Sequence, residues 1–340
     1  MAAPFDVDRL EVAGNPVALL EDIRRITAAD YWLSENGTLV YVPGTGATGG
    51  RTVAWEGRDG REEALAMEPR DYSAPRVSPD GQRVAVAAAG DIWIHDVARS
   101  TTTRLTFGPA TDVAPLWTPD GERVVFSSNR EKSFDLYWAR ADGAGTVERL
   151  TTASQNEFPF AWGKDGRTLV FAECRTHLLA ACDVSLLAME GDRQTKALLH
   201  TDFNEVSPTL SADGRWIAYE SNESGRPEVY VRPFPSVESG QWQASTGGGT
   251  EPLWSPSGKE LFYRGATSLM AVPVEAGAIL KFGKPQELFG VGRYAVSGGR
   301  YDTSRTGDRF IFAAPIGREA AHIVVVQNWF EELRRLVPAN

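Results

Sequence analysis

A polar turn centred on Asp-Gly, set between two β-like runs, returns seven times along this chain. The copies are Glu35-Asn36-Gly37, Pro79-Asp80-Gly81, Pro119-Asp120-Gly121, Lys164-Asp165-Gly166, Ala212-Asp213-Gly214, Pro256-Ser257-Gly258 and Arg305-Thr306-Gly307. Their glycines lie 44, 40, 45, 48, 44 and 49 residues apart. A period of that length, with several strands per unit, marks a β-propeller. Asp-Gly suits the tight link because glycine enters positive φ without the steric cost of a Cβ. The second copy displays the unit. Pro75-Arg-Val-Ser-Pro-Asp-Gly reads as strand and turn, and Arg83-Val-Ala-Val-Ala-Ala, Asp91-Ile-Trp-Ile-His-Asp-Val and Thr103-Arg-Leu-Thr as three further strands.

Seven such units consume nearly all of the 340 residues, which predicts one all-β domain, a seven-bladed β-propeller of four-stranded blades. The expected boundaries are a closing segment over 1–27, blades over 28–327, and a short C-terminal helix with its tail over 328–340. The last repeat offers three strand-like runs only: Tyr301-Asp-Thr-Ser, Arg309-Phe-Ile-Phe and Ile323-Val-Val-Val. Pro16-Val-Ala-Leu-Leu is expected to supply the fourth, so that an N-terminal strand closes the last blade and no edge is left exposed. The opening Met1-Ala-Ala-Pro-Phe-Asp echoes Met270-Ala-Val-Pro-Val, as though the chain began in mid-blade. Asn328 and Glu331 fit a capping box, and Trp329, Leu333 and Leu336 share one helical face.

A net charge of −10 argues against nucleic acid, because phosphate binding needs a basic face. No apolar run has the length of a membrane span, and no signal-peptide pattern opens the sequence, so membrane insertion is not expected and the compartment stays open. A monomer is expected. The two cysteines, Cys174 and Cys182, flank the loop of a predicted hairpin. They form either a cross-strand disulfide or two small buried apolar side chains, and a disulfide would indicate an oxidising compartment.

Enzymatic motifs are incomplete. Val296-Ser297-Gly298-Gly299 lacks the leading glycine of a nucleophile elbow. There is no phosphate-binding loop and no Cys-x-x-Cys, and Gly247-Gly-Gly reads as a connection between blades. The four histidines, His95, His177, His200 and His322, do not pair at metal-ligand spacing. A carboxylate does recur near the start of successive innermost strands: Asp30, Asp71, Asp112, Glu157, Glu205 and Glu251. A propeller gathers such positions at one mouth of its central channel. Asp112, Glu157, Glu205 and Glu251 are therefore candidate ligands for a divalent cation such as Ca²⁺, which takes carboxylate and carbonyl oxygens. Arg76 and Arg300 could instead neutralise this ring. Tyr72, Phe158 and Tyr301 complete a candidate ligand-binding rim with the two arginines, with blade packing as the alternative for the aromatics.

Ser78-Pro-Asp-Gly-Gln-Arg-Val-Ala, Asp91-Ile-Trp-Ile-His-Asp, Arg104-Leu-Thr-Phe and Pro115-Leu-Trp-Thr-Pro-Asp-Gly resemble the WD40-like repeats of the TolB type. Thr38-Leu-Val-Tyr-Val-Pro-Gly, Asp59-Gly-Arg-Glu-Glu and Asn328-Trp-Phe-Glu-Glu-Leu-Arg-Arg-Leu-Val-Pro are similar to the C-terminal propeller of some bacterial membrane-anchored Ser/Thr protein kinases. The sequence has no kinase catalytic loop, no Asp-Phe-Gly and no true Gly-His/Trp-Asp signature. The resemblance implies an extracytoplasmic (periplasmic) sensor or interaction module that recognises a protein, peptide or small molecule at the channel mouth. The alternative is a channel-metal hydrolase acting on phosphoesters or lactones.

Overall fold

A computed structural model describes residues 5–6, 9–12, 31–41, 51–177, 179–277, 280–294, 300–316 and 323–336. Contacts divide the chain into two compact units, Arg51–Ala314 and the pair of segments Met1–Gly50 and Pro315–Asn340. The repeat count predicts one domain over 1–340, so this division is a departure from the expectation.

The larger unit is a ring of six antiparallel sheets. Blade 1 is Ser73–Val77, Arg83–Ala88, Asp91–Asp96 and Thr101–Arg104. Blade 2 is Asp112–Trp117, Arg123–Glu131, Ser133–Arg140 and Glu148–Arg149, and blade 3 is Asn156–Trp162, Thr168–Cys174, Cys182–Ala188 and Thr195–Leu199. Blade 4 is Glu205–Leu210, Trp216–Ser221, Glu228–Pro233 and Trp242–Gln243. Blade 5 has Thr250–Trp254, Glu260–Arg264 and Ser268–Ala276, the last pairing with both Leu280–Phe282 and Gln286–Gly290. Blade 6 joins both ends of the unit: Asp302–Thr303 and Arg309–Pro315 are continued by Arg51–Gly57 and Glu62–Ala64.

Alternating apolar residues on the second and third strands fill every junction between blades. Ile92 of blade 1 packs on Trp117 and Phe126 of blade 2, and Leu136 on Leu169 and Phe171 of blade 3. Val184 packs on Ile217 and Tyr219 of blade 4, and Val229 on Trp254 and Leu261 of blade 5. Phe262 meets Phe310 of blade 6 edge-on at 4.8 Å, and Val53 and Ile311 return to Tyr72 and Val86 of blade 1. Among the described residues the ring therefore closes with six blades, where seven were expected.

The correction has a simple cause. Six of the seven turns link the first and second strands of these blades, whereas Glu35-Asn36-Gly37 lies in the smaller unit. There, Tyr31–Leu33, Leu39–Tyr41 and Val324–Val326 form a three-stranded sheet. The run expected to be the third strand of the last blade thus pairs elsewhere, and Arg51–Gly57 takes its place by burying Val53, Ala54 and Trp55. The ends of the larger unit do pair two strands with two, but the expected N-terminal closing strand at Pro16–Leu20 lies outside the described residues. The smaller unit also pairs Phe5–Asp6 with Glu11–Val12 and carries the expected C-terminal helix, Trp329–Leu336. A Cβ on Gly37, at φ +80°, would stand 2.8 Å from the Phe330 ring. No helix among the described residues is long and apolar enough to cross a membrane.

The recurring turn has a chemical logic. Asp80 Oδ1 accepts hydrogen bonds from the Ser78 hydroxyl and, at 3.0 Å, from the Gln82 N–H. Thr118 with Asp120, and Ser211 with Asp213, repeat the arrangement. Arginines then tie neighbouring turns together: Arg83 donates to the Gly121 carbonyl at 2.8 Å, and Arg58 to that of Gly307 at 3.0 Å.

Candidate functional site at the propeller axis

The innermost strands of five blades each carry a proline: Pro75, Pro115, Pro159, Pro208 and Pro252. At each one the pairing register slips, and the preceding residue has positive φ in four of the five: Ala74, Ala114, Ser207 and Glu251. A proline suits a bulge because it has no N–H to leave unpaired when the ladder breaks. The bulges turn backbone and side chains toward the axis, where a cavity of about 30 Å³ is lined by Arg76, Phe160, Ser207, Thr209, Glu251, Arg300 and Tyr301, among others.

Of the expected ligand-binding rim, Arg76, Arg300 and Tyr301 meet at this cavity, together with Glu251 from the expected metal set. Tyr72 and Phe158 do not. Tyr72 is fully buried between blades 6 and 1, where its hydroxyl donates to the Glu68 carbonyl at 2.9 Å. Phe158 packs on Phe134 with ring centroids 5.9 Å apart. Both are packing residues.

The four carboxylates are not brought together. Aligned on the bulge proline, Asp112 and Glu205 stand three residues before it, Glu157 two and Glu251 one, so their side chains leave the strands in different directions. Asp112 pairs with Arg130 at 2.7 Å, Glu157 accepts from the Thr151 hydroxyl, and Glu205 accepts from that of Thr201. Glu251 meets Arg264 at 2.7 Å. Among the described residues, no three His, Cys, Asp or Glu side chains are grouped to hold a metal ion. Asp71 faces Arg51 at 3.6 Å, and Asp30 lies outside the described residues.

Electrostatics single out the axial cluster. Arg300 stacks over Phe160 at 3.7 Å and donates to the Pro159 carbonyl at 2.9 Å. Burial, then repulsion from Arg76, lowers its pKa to about 9, while Glu251 acts in the opposite sense. Burial raises the carboxyls of Glu251 and Asp302 despite the guanidinium groups beside them, and drives the Tyr301 phenol well up. Behind Glu251, burial pushes Glu220 up to about 7, and its carboxylate accepts the Glu251 N–H at 3.3 Å. Phe160, Ser207, Thr209 and Arg264 were missed in the sequence reading. The x-Pro-x phrase repeated in the inner strands is the signal that would have found the first three.

A serine–histidine–carboxylate arrangement occurs away from the axis. Ser185 Oγ lies 3.1 Å from His200 Nε2, and His200 Nδ1 lies 3.8 Å from Asp183. It is no catalytic triad: the second distance exceeds a hydrogen bond, Ser185 is 1% exposed, and its hydroxyl proton goes to Glu173. His95 is buried against Thr102, and burial lowers its pKa. His177 is exposed, and His322 lies outside the described residues.

The fold and the axial constellation define a β-propeller with its charged groups gathered where the blades converge. Residues 56–190 match the TolB beta propeller domain family, PD40. The putative TolB of Agrobacterium tumefaciens superposes with a TM-score of 0.63 at 20% identity, covering 79% of this chain and 99% of that one. An uncharacterized protein of Agrobacterium fabrum, Atu1656, is 22% identical over 57% of this chain and 66% of its own length. The Tol-Pal system protein TolB of Alcanivorax borkumensis is 38% identical over 21% of this chain and 17% of its own length. The matches thus span less than two thirds of either curated relative. Residues 56–190 thus carry TolB-type, WD40-like repeats, and the chain is similar in fold to the putative TolB.

Proposed function

We propose that this propeller is a recognition module that binds a protein, peptide or small ligand at the axial mouth, outside the cytoplasm. The observation that carries the reading is the convergence of Arg76, Glu251, Arg300 and Tyr301 from three blades on one cavity, where residues far apart in sequence present charge together. The likeness to TolB supports protein binding, and the Cys174–Cys182 disulfide between facing strands supports an oxidising compartment. The channel-metal hydrolase reading through Asp112, Glu157, Glu205 and Glu251 gains nothing from their separate placements.

The test has two arms. Peptides selected from a random library on the whole chain should lose binding at least tenfold to Arg76→Gln, with the variant's fold checked by circular dichroism. Selection of peptides indifferent to Arg76 would place recognition elsewhere. In the second arm, the chain is melted with Ca²⁺, Mn²⁺ or Zn²⁺ against a chelated control. A saturable rise in Tm that Glu157→Gln or Glu205→Gln abolishes would return the hydrolase reading to the front.

A further inference from the structure

We propose that the axial cavity holds one small monoanion, held by Arg76, Arg300 and the Tyr301 hydroxyl. The cavity would hold this anion whether or not a macromolecule docks at the mouth. Tyr301 is 3% exposed, and among the described residues its hydroxyl has no hydrogen-bond partner; the buried Nε of Arg76 has none there either. Both atoms belong to residues lining the same cavity. A buried donor left unmatched is destabilising, so two that line one space call for a common acceptor.

Charge makes that acceptor an anion. Among the described residues, Arg76, Arg264 and Arg300 act on Glu251, and Arg76 also acts on Asp302. Glu251 is engaged by Arg264, and both oxygens of Asp302 are occupied, by the Val77 and Thr303 N–H groups at 2.9 Å. Burial pushes Glu220, the next carboxyl outward, up to about 7, which disfavours its charged form. A guanidinium excess therefore remains beside the buried Arg300 and Tyr301, where uncompensated charge is costly. The volume, about 30 Å³, admits a water-sized occupant and excludes a bulky ligand. Ser207 and Thr209 line the same cavity. The occupant would link the inner strands of blades 1, 4 and 5 to the entry of blade 6.

The test is a thermal melt of the whole chain at constant ionic strength, with gluconate replaced stepwise by chloride, bromide or formate. A saturable rise in Tm, reaching roughly 5–10 °C well above Kd, is expected. A response to halide identifies a free ion. A response to formate alone identifies a carboxylate group as the natural occupant. Tyr301→Phe, which keeps the ring, should raise the half-saturating concentration about tenfold, the loss of one charge-assisted hydrogen bond. Superimposable melts in all four salts, or an unchanged midpoint in Tyr301→Phe, would overturn the assignment. Crystals grown in bromide give a second readout. One anomalous peak within hydrogen-bond reach of Arg76 and Tyr301 is expected, and a water in its place refutes the site.

Discussion

The turn that organises this chain makes Asp80→Ala an informative perturbation. The carboxylate of Asp80 accepts from the Ser78 hydroxyl and the Gln82 N–H, while Ser78 Oγ itself accepts the Arg83 N–H at 2.9 Å. Gln82 lies near solvent, so water replaces that bond at little cost. Ser78 is 2% exposed, and removing its acceptor strands a buried hydroxyl. The loss should total about 1–2 kcal/mol. For a unit of this size each kcal/mol moves the melting temperature by roughly 2–4 °C, so Tm should fall by about 2–8 °C. Asp80→Asn keeps an oxygen acceptor but not the charge, and should recover about half of the loss. Calorimetry of the three proteins, run from neutral pH into acid, measures both effects. The Ser78 hydroxyl and the Gln82 N–H hold the Asp80 carboxyl below its ordinary value. Its contribution is therefore present above that ordinary value and lost as pH falls through the lowered one, so parent and variant should converge in acid. An Asp80→Ala protein melting within a degree of the parent at neutral pH would show that the turn is specified by Gly81 alone.

The remaining expectations test other contacts. Ser257 occupies the aspartate position in blade 5, beside the Ser255 hydroxyl and the Lys259 N–H at 3.1 and 3.3 Å. Ser257→Asp should raise stability by about 0.5–1 kcal/mol in a denaturant titration, and a loss would contradict the account of the turn. Cys174 and Cys182, eight residues apart, close a small loop. Reduction or Cys182→Ser should cost about 2–3 kcal/mol by the chain-entropy estimate, and a melt insensitive to reductant would deny the bond. Burial pushes Glu157 up to about 7, opposed by the Thr151 hydroxyl and reinforced by Glu173 and Asp135. A raised carboxyl contributes stability that is full below its ordinary value and lost as pH rises toward 7, here roughly 3 kcal/mol. Glu157→Gln should flatten that fall between about pH 4.5 and 7. An unchanged pH profile would place the titration on another group.

The axial site was only partly legible in the sequence. Arg76, Arg300 and Tyr301 were identified from their place at the entry to inner strands, and they do meet. The carboxylate ring was not there to be found, because residues counted as equivalent occupy three different registers around the bulge. In a pleated strand a shift of one residue reverses the face that a side chain takes. Aligning the repeats on their prolines, not on the carboxylates, places Asp112 and Glu205 three residues before the bulge, Glu157 two and Glu251 one.

The sequence by itself determined the repeating unit. Local chemistry is enough for this: Asp-Gly sets the turn, alternation sets the strands, and a period near 45 residues sets the propeller. It also determined the C-terminal helix, whose polar and apolar faces are written at helical spacing. Only the tertiary structure decided how many units share one ring, since that depends on which strand completes the last sheet. Arg51–Gly57 and Val324–Val326 both carry β-branched residues at strand-like positions, and alternation alone does not name either as the partner of Arg309–Pro315. Long-range pairing chose the strand that buries Trp55 and Val53 against blade 1. The charge balance at the axis was hidden for the same reason. It arises from Arg76, Glu251, Arg264 and Arg300, which only ring closure makes neighbours.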